Sequence, residues 1–169
     1  MMKKSVDIQQ HTYVVNGKLS TRKVTKQIIL HCSATREGKD YTVDTIDRWH
    51  KERAFSCIGY HFVIYRDGTI VRGRAENAVG AHCSGQNSNS IGICYIGGLA
   101  EDGKTAKDTR TTEQKDSMNV LLCYLMSKYN ITMDNVHGHY EYAAKACPSF
   151  KIEDWRKEYL KWLTQSDDK

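Results

Sequence analysis

The segment "HGHYEYAAKACPSF", residues 137–150, gathers two histidines, a lysine, a cysteine and the only proline of the chain. Zinc accepts imidazole nitrogen and thiolate sulfur together, and three protein ligands suffice for a catalytic zinc site. The fourth position then holds a water molecule, whose pKa can fall from about 15.7 to about 7. A lysine close by could stabilise a developing oxyanion and lower the pKa of the thiol. The segment therefore indicates either metal chemistry or a polar loop with incidental histidines.

The spacing within this segment does not decide between the two interpretations. His137 and His139 share a face if the chain is extended, so either could be a ligand. Cys147 lies eight residues after His139, which is too far for a chelate on one helical turn, so the loop must fold back. Pro148 favours an extended conformation at Cys147. Because histidines and cysteines also cluster through packing alone, both interpretations stay open at this point.

A further candidate ligand lies more than a hundred residues earlier. The run "QIILHCS" predicts a short buried strand with His31 at its end. Ligand sites in open α/β sheets gather at the carboxyl ends of strands, where His31 would lie. Strand alternation places His31 and Ser33 on one face and Cys32 on the other. Taken alone, His31 could equally be a hydrogen-bonded histidine that ends a strand.

Three further patterns predict the sheet that must position these residues. The stretch "YHFVIYRDGTIVRG" predicts two strands joined through Asp67-Gly68, a strong hairpin signal. "SIGICYIGG" predicts another strand over residues 90–96. Because a hairpin lies between the first strand and this one, we expect an α/β fold with a central mixed β-sheet flanked by helices.

Three helices are predicted around this sheet. "TVDTIDRWHKER" has apolar residues at helical spacing, with Thr42 placed to cap it. A second helix follows Thr111, which can form a capping box with Gln114. A third is expected over residues 152–163. The apolar stripe of the second helix consists of Met118, Leu121, Leu122, Leu125 and Tyr129.

Length and composition predict one domain of ordinary globular character, with 169 residues and a net charge of +5. The charge is spread along the chain, so we expect a solvated surface and no nucleic-acid partner. The first 15 residues contain no apolar signal segment, which predicts synthesis in the cytoplasm without membrane insertion. The six cysteines are therefore expected to be free thiols. We also expect a monomer.

The first 26 residues are polar and predict an N-terminal arm that precedes a domain of residues 27–169. Within the arm, Asn16-Gly17 suits a type I′ turn, so a small hairpin is predicted there. A basic arm could also dock on a regulatory partner protein, although such arms are more often plain tails.

Five blocks of the chain resemble, in their order, the type 2 N-acetylmuramoyl-L-alanine amidases, and most closely the phage lysozyme-amidases that share ancestry with peptidoglycan recognition proteins. The resemblance spans about residues 27–163. It implies one catalytic zinc in a surface groove and hydrolysis of the amide between N-acetylmuramic acid and L-alanine. The blocks are "ILHCSAT", "RWHKER", "IGYHFVIYRDGTIVRGR", "VGAHCSGQNSNSIGICYIGG" and "KACPSF".

The resemblance also implies roles for individual residues. The zinc ligands would be His31, His139 and Cys147, so His139 and not His137 would bind the metal. The catalytic residues would be Tyr60 and Lys145. A tyrosine of ordinary pKa is a poor base at neutral pH, so a hydrogen-bonding or acid role suits Tyr60.

Other polar residues carry weaker expectations. The resemblance places the loop that carries His82 near the groove, so His82 could touch substrate. Asn87 and Asn89 could bond the amides of a muropeptide, or could simply form a turn before a strand. His61 should point away from Tyr60 and into the core. His50 is expected on the surface.

Two functional interpretations remain. The first is a zinc amidase that degrades peptidoglycan, either as a phage or prophage endolysin that reaches the wall after holin action or lysis, or as a bacterial lytic enzyme. The second is a recognition module that binds muropeptide without cutting it. Loss of the thiolate ligand would mark such a module, and Cys147 is present, which favours the enzyme.

Overall fold

A six-stranded sheet with helices on both faces carries the candidate residues in the computed structural model, which describes residues 5–167. Within residues 5–167 the strands are β1 (Ile8–Gln9), β2 (Gln27–Cys32), β3 (Thr35–Arg36), β4 (Phe62–Ile64), β5 (Ile70–Arg72), β6 (Ser90–Tyr95), β7 (Gly98–Leu99) and β8 (Val136–Gly138). The α-helices are α1 (Val43–Glu52), α2 (Thr112–Tyr129) and α3 (Ile152–Asp167). Short 3-10 helices span Asn87–Asn89, Met133–Asn135 and His139–Glu141.

The sheet is mixed, which confirms the predicted α/β class. Its strand order is β1-β5-β4-β6-β2-β8, and every neighbouring pair is parallel except β4 and β5. That antiparallel pair is the hairpin predicted at Asp67-Gly68, where Gly68 has φ +91°. β3 and β7 form a separate parallel pair beside the main sheet.

The two faces of the sheet are buried against different helices. Ile28, Leu30 and Ile93 pack with residues of α2 and α3 in one apolar cluster. Val63 and Val71 point to the other face and pack against Val43 and Ile46 of α1. Because strand side chains alternate, His31 lies on the α1 face although its neighbour Leu30 lies in the α2–α3 core.

The three predicted helices are present, although α3 ends at Asp167 and not at residue 163. The Thr111 hydroxyl accepts from the Gln114 backbone N–H and the Gln114 side chain accepts from Thr111 N–H, which confirms the capping box of α2. Thr42 is the N-cap residue of α1, as predicted, but its hydroxyl makes no capping hydrogen bond. The Tyr65 hydroxyl accepts from Val43 N–H instead. Within residues 5–167, no helix is both long and apolar enough to cross a membrane.

The hairpin predicted at Asn16-Gly17 is wrong. The chain bends there, with Gly17 at φ +88°, but no strand lies on either side. A two-residue turn forms a hairpin only where its flanks can pair and bury a face, whereas Val14 is 74% exposed. The segment pairs with the sheet edge instead, through β1 on β5 and through the Tyr13 hydroxyl, which donates to Arg72 O at 2.6 Å. A domain boundary at residue 27 stays a prediction.

Candidate metal centre

Two parallel strands bring the first two candidate ligands together. In the pairing of β2 with β8, Leu30 lies opposite Gly138. The next residues of the two strands' segments, His31 and His139, therefore lie side by side. The centroids of their imidazole rings are 4.6 Å apart. His31 is fully buried at 1% exposure, whereas His139 is half-buried.

The third candidate ligand arrives because the loop folds back, as its spacing requires. Tyr140 N–H donates to Cys147 O at 2.9 Å, which closes the loop between them. Cys32 N–H donates to the Cys147 sulfur at 3.3 Å, so the thiol lies at the end of β2. The Tyr95 hydroxyl donates to Pro148 O at 2.7 Å and fixes the following residue.

His31, His139 and Cys147 form a donor cluster whose potential ligand atoms all lie within 4.8 Å of one another. A tetrahedral ion with ordinary zinc bond lengths separates a sulfur ligand from a nitrogen ligand by about 3.6 Å. Cys147 Sγ and His31 Nδ1 are 3.8 Å apart. Two imidazoles and a thiol at these distances fit a divalent metal that accepts nitrogen and sulfur.

The two histidines of "HGH" have different surroundings. His139 belongs to the donor cluster. His137 lies outside it, and its Nδ1 is 3.1 Å from a carboxylate oxygen of Glu141. The same carboxylate accepts from Gly138 N–H at 2.7 Å, so Glu141 ties His137 and the start of the loop together.

Burial and charge keep the imidazoles of the donor cluster neutral. Burial lowers the pKa of His31 well below its ordinary value, and His82 and His139 lower it further. Burial also lowers the pKa of His139, and the Lys145 cation adds to that effect. Neutral imidazole is the form that binds a metal.

The thiols of Cys147 and Cys32 interact directly. A hydrogen bond between the two side chains, together with burial, raises the pKa of Cys147. The same hydrogen bond lowers the pKa of Cys32 to about 7. All six cysteines are free thiols, as predicted.

His139 and Cys147 of the donor cluster line an open groove of about 590 Å³, whereas His31 is buried behind its wall. Tyr60 and Lys145 line the same groove. The Tyr60 ring lies 5.1 Å from that of His31 and 5.2 Å from that of His50. Burial raises the pKa of Tyr60 well above its ordinary value, so its hydroxyl keeps its proton at neutral pH.

The groove is positively charged. Lys145 and Arg53 line it, and no carboxylate does so among the described residues. Arg53 stacks over Phe55, with its guanidinium carbon 4.8 Å from the ring centroid. Two cations without an acidic partner in the groove wall favour an anionic ligand.

The weaker candidates are placed differently from one another. His82 and Asn87 line the groove. The side-chain oxygen of Asn87 is already engaged, because it accepts from the backbone N–H groups of His82 and Cys83 at 2.9 Å each. Asn89 does not line the groove, and its side chain accepts from Gln27 at 3.0 Å. Contact of these residues with substrate stays a prediction.

His61 is fully buried, and its Nδ1 accepts from Gly92 N–H, so it lies in the interior as predicted. The expectation that His50 is a surface residue was wrong. His50 is 7% exposed, lines the groove and accepts from Gly59 N–H at 2.8 Å through Nδ1. Its position seven residues after Val43, on the apolar face of α1, was a signal that could have found it.

The sequence of this chain is similar to those of known amidases and endolysins. The family model described as N-acetylmuramoyl-L-alanine amidase matches residues 20–150. The endolysin of Escherichia phage T7 is 44% identical over 134 residues, which cover 79% of this chain and 87% of that protein.

Solved structures show the same likeness. The N-acetylmuramoyl-L-alanine amidase LysC from Clostridium intestinale URNW has a TM-score of 0.79 at 35% identity, covering 91% of this chain and 97% of that one. Drosophila peptidoglycan recognition protein SD has a TM-score of 0.72 at 20% identity, covering 85% of this chain and 89% of that one. At that identity the likeness to the recognition protein concerns the fold alone.

Proposed function

Because this chain belongs to the N-acetylmuramoyl-L-alanine amidase family, we propose that it hydrolyses the amide between N-acetylmuramic acid and L-alanine with one zinc ion held by His31, His139 and Cys147. The observation that carries the proposal is the donor cluster, whose potential ligand atoms lie within 4.8 Å of one another, with His139 and Cys147 facing a groove. When bound, zinc supplies Lewis acidity, which acidifies a water molecule and polarises a carbonyl. The other steps fall to the residues around it.

Lys145 is suited to stabilise negative charge on the carbonyl oxygen of the scissile amide. It is exposed on the groove wall and makes no ion pair among those described for residues 5–167. Its charge is felt at His139, whose pKa it lowers. A fixed cation at the position where an oxyanion develops lowers the barrier, because the attraction is stronger in the transition state than in the substrate.

Tyr60 is suited to donate a hydrogen bond or a proton. Its raised pKa excludes a base at neutral pH but leaves the hydroxyl as a donor. The ring packs between those of His31 and His50, which fixes its direction. From there Tyr60 would hold the oxyanion or relay a proton to the leaving amine of L-alanine.

The groove charge fits the proposed substrate. A peptidoglycan stem peptide carries carboxylates, and the groove presents Arg53 and Lys145 without an opposing acid in its described lining. We propose that the protein acts as a monomer on muropeptide in the cell wall, as an endolysin that reaches the wall on lysis. The phage T7 relative bears that name, Endolysin.

The test is digestion of purified peptidoglycan with the products identified by mass and by end groups. We expect new L-alanine amines and free stem peptides, with both lost on chelation and recovered when zinc is added. Zinc bound without any new amine would favour a recognition module. Reducing sugar ends in place of amines would mean glycan cleavage and would overturn the proposal.

A further inference from the structure

The His31 imidazole has a second hydrogen-bonding partner on the side away from Cys147. His31 Nε2 lies 2.8 Å from His82 Nδ1. The other nitrogen of that ring, His82 Nε2, lies 3.2 Å from the Ser90 hydroxyl. Ser90 in turn donates to Gln86 O at 2.6 Å. His31, His82 and Ser90 are 1%, 8% and 0% exposed, so this chain of bonds is shielded from water.

Gln86 O, the last acceptor of this series of hydrogen bonds, determines which group donates in each of them. A backbone carbonyl can only accept, so the single hydroxyl hydrogen of Ser90 points to Gln86 O. The Ser90 oxygen must then accept from His82 Nε2–H. The His82 ring is 8% exposed, and the hydrogen bonds described for it join it to His31 and Ser90 and to no carboxylate, so with Nε2–H as donor its Nδ1 carries the lone pair.

The same reasoning fixes the tautomer of His31. Since His82 Nδ1 can only accept, His31 must donate through Nε2–H. A neutral His31 then has its lone pair on Nδ1, and Nδ1 is the nitrogen 3.8 Å from the Cys147 sulfur. The hydrogen-bond chain that begins at Gln86 O therefore leaves the metal-binding electron pair on the nitrogen that faces the donor cluster.

The surroundings of His82 hold its ring in place. A Cβ atom added at Gly80 would come within 2.6 Å of His82 Cδ2, and one at Gly92 within 2.6 Å of His82 Cγ. The ring therefore occupies space that only glycine leaves free at both positions. Asn87 Oδ1 accepts from His82 N–H and Cys83 N–H, which fixes the backbone that carries the ring.

We propose that His82 is a positioning residue of the metal centre, which holds His31 as the Nε2–H tautomer through the relay from Ser90 and Gln86 O. This inference rests on the proposed function for the presence of a metal. It gives His82 a role in the site other than the substrate contact expected from the sequence. A ligand-orienting partner of this kind typically contributes 10- to 100-fold in metal affinity.

The direct test is the tautomer of His31 in metal-free protein, read from long-range ¹H–¹⁵N correlations of the imidazoles. We expect Nε2–H on both His31 and His82. An Nδ1–H tautomer on His31 would overturn the inference. This measurement needs no activity and no zinc, so it decides about His82 even if the proposed reaction were wrong.

The second test is Zn²⁺ affinity, measured by competition with a chromophoric chelator on variants whose fold is checked by circular dichroism. We expect His82→Ala to weaken zinc binding 10- to 100-fold. His82→Asn should recover most of this loss, because its amide oxygen can take the place of Nδ1 as acceptor. If both variants bind zinc as the wild type does, His82 is only a packing residue.

Ser90→Ala tests the relay itself, since it removes the acceptor for His82 Nε2–H. We expect a mixture of His82 tautomers and weaker zinc binding. The matched control is Ser88→Ala, at an exposed serine of the 3-10 helix that precedes β6, which should leave tautomers and affinity unchanged. An unchanged Ser90→Ala would contradict the relay. Wild-type protein that binds no zinc would refute the proposed metal centre while leaving the tautomer result standing.

Discussion

Two parts of the site are supported in different ways: the sheet half, which is His31 on β2, and the loop half, which is His139, Lys145 and Cys147. His31 projects from β2, which is paired along its length with β6 and along half of it with β8, and both of its ring nitrogens have partners. His139, Lys145 and Cys147 come from a loop that is held by a few backbone bonds, such as Lys145 N–H to Ala143 O and Tyr140 N–H to Cys147 O. Their side chains range from half-buried to exposed.

This difference assigns separate tasks to the sheet and the loop. The sheet half holds His31 in place without a metal, because burial and hydrogen bonds fix its ring. The loop half brings the thiol and the cation, and in the proposed metal centre part of its order would come from the metal, since metal binding couples to local folding. Loss of Cys147 or of a groove side chain should therefore affect metal binding or activity first, whereas protonation of buried histidines outside the donor cluster should affect stability first.

The largest effect is expected from Cys147→Ser. A serine oxygen is a poor zinc ligand at neutral pH because it stays protonated. We expect loss of stoichiometric zinc and a fall in amide hydrolysis of roughly 1,000-fold or more, because the metal supplies several kcal/mol of transition-state stabilisation. Zinc content by atomic absorption and release of L-alanine amines would be measured together. Cys123→Ser, on α2 and outside the groove lining, is the matched control. Full activity of Cys147→Ser would remove the thiol from the mechanism.

Tyr60→Phe should separate catalysis from metal binding. The ring contacts with His31 and His50 survive this change, but the hydroxyl is lost. We expect turnover to fall about 100- to 10,000-fold, as for loss of a general acid or base, with zinc affinity unchanged. Tyr124→Phe, at an exposed tyrosine of α2, should do neither. If Tyr60→Phe also loses zinc, the tyrosine supports the structure of the site and is not a catalytic group.

Acid should destabilise the protein through two buried histidines outside the donor cluster. Burial lowers the pKa of His50 to about 4 and that of His61 to about 3. Both values lie below the unfolded value of about 6.5, so below that pH the unfolded chain binds more protons and stability falls as pH falls. Between pH 7 and pH 5, each histidine should lower the free energy of unfolding by about 2 kcal/mol.

This prediction is checked by urea unfolding of metal-free protein across that pH range. His50→Asn provides the comparison, because its side-chain oxygen can still accept from Gly59 N–H while the titrating group is removed. The variant should lose about half of the effect that these two histidines produce. An unchanged pH dependence in His50→Asn would mean that the pKa of His50 is nearly the same in the folded and the unfolded chain, and would contradict the prediction.

The sheet half was also the half that the sequence could predict. An apolar run ending at His31 and the Asp67-Gly68 turn are local signals, and both were confirmed because strand burial and turn geometry depend on neighbouring residues. The predicted hairpin at Asn16-Gly17 was wrong for the complementary reason. Its turn signal was real, but pairing depends on distant partners, and the nearby sheet edge provided a better one.

The loop half could not be worked out from spacing alone. Nothing in the local pattern of residues 137–150 states that Tyr140 N–H bonds Cys147 O and so closes the loop. Family resemblance, and not periodicity, distinguished His139 from His137. The relay through His82 and Ser90 was equally hidden, because it joins residues 51 positions apart and eight positions apart that meet only in the folded chain.

The smallest effect is expected from Glu141→Ala, which removes a support of the loop half without touching the donor cluster. The Glu141 carboxylate accepts from Gly138 N–H at 2.7 Å and lies 3.1 Å from His137 Nδ1. Because the side chain is exposed, we expect a loss of about 1 kcal/mol in the free energy of unfolding, as for loss of one helix-capping bond. Zinc affinity should fall by less than 10-fold, below the fall expected for His82→Ala. The two zinc affinities, measured side by side by chelator competition, test the comparison itself. If Glu141→Ala weakens zinc more than His82→Ala does, the loop and not the sheet holds the site in place before the metal binds.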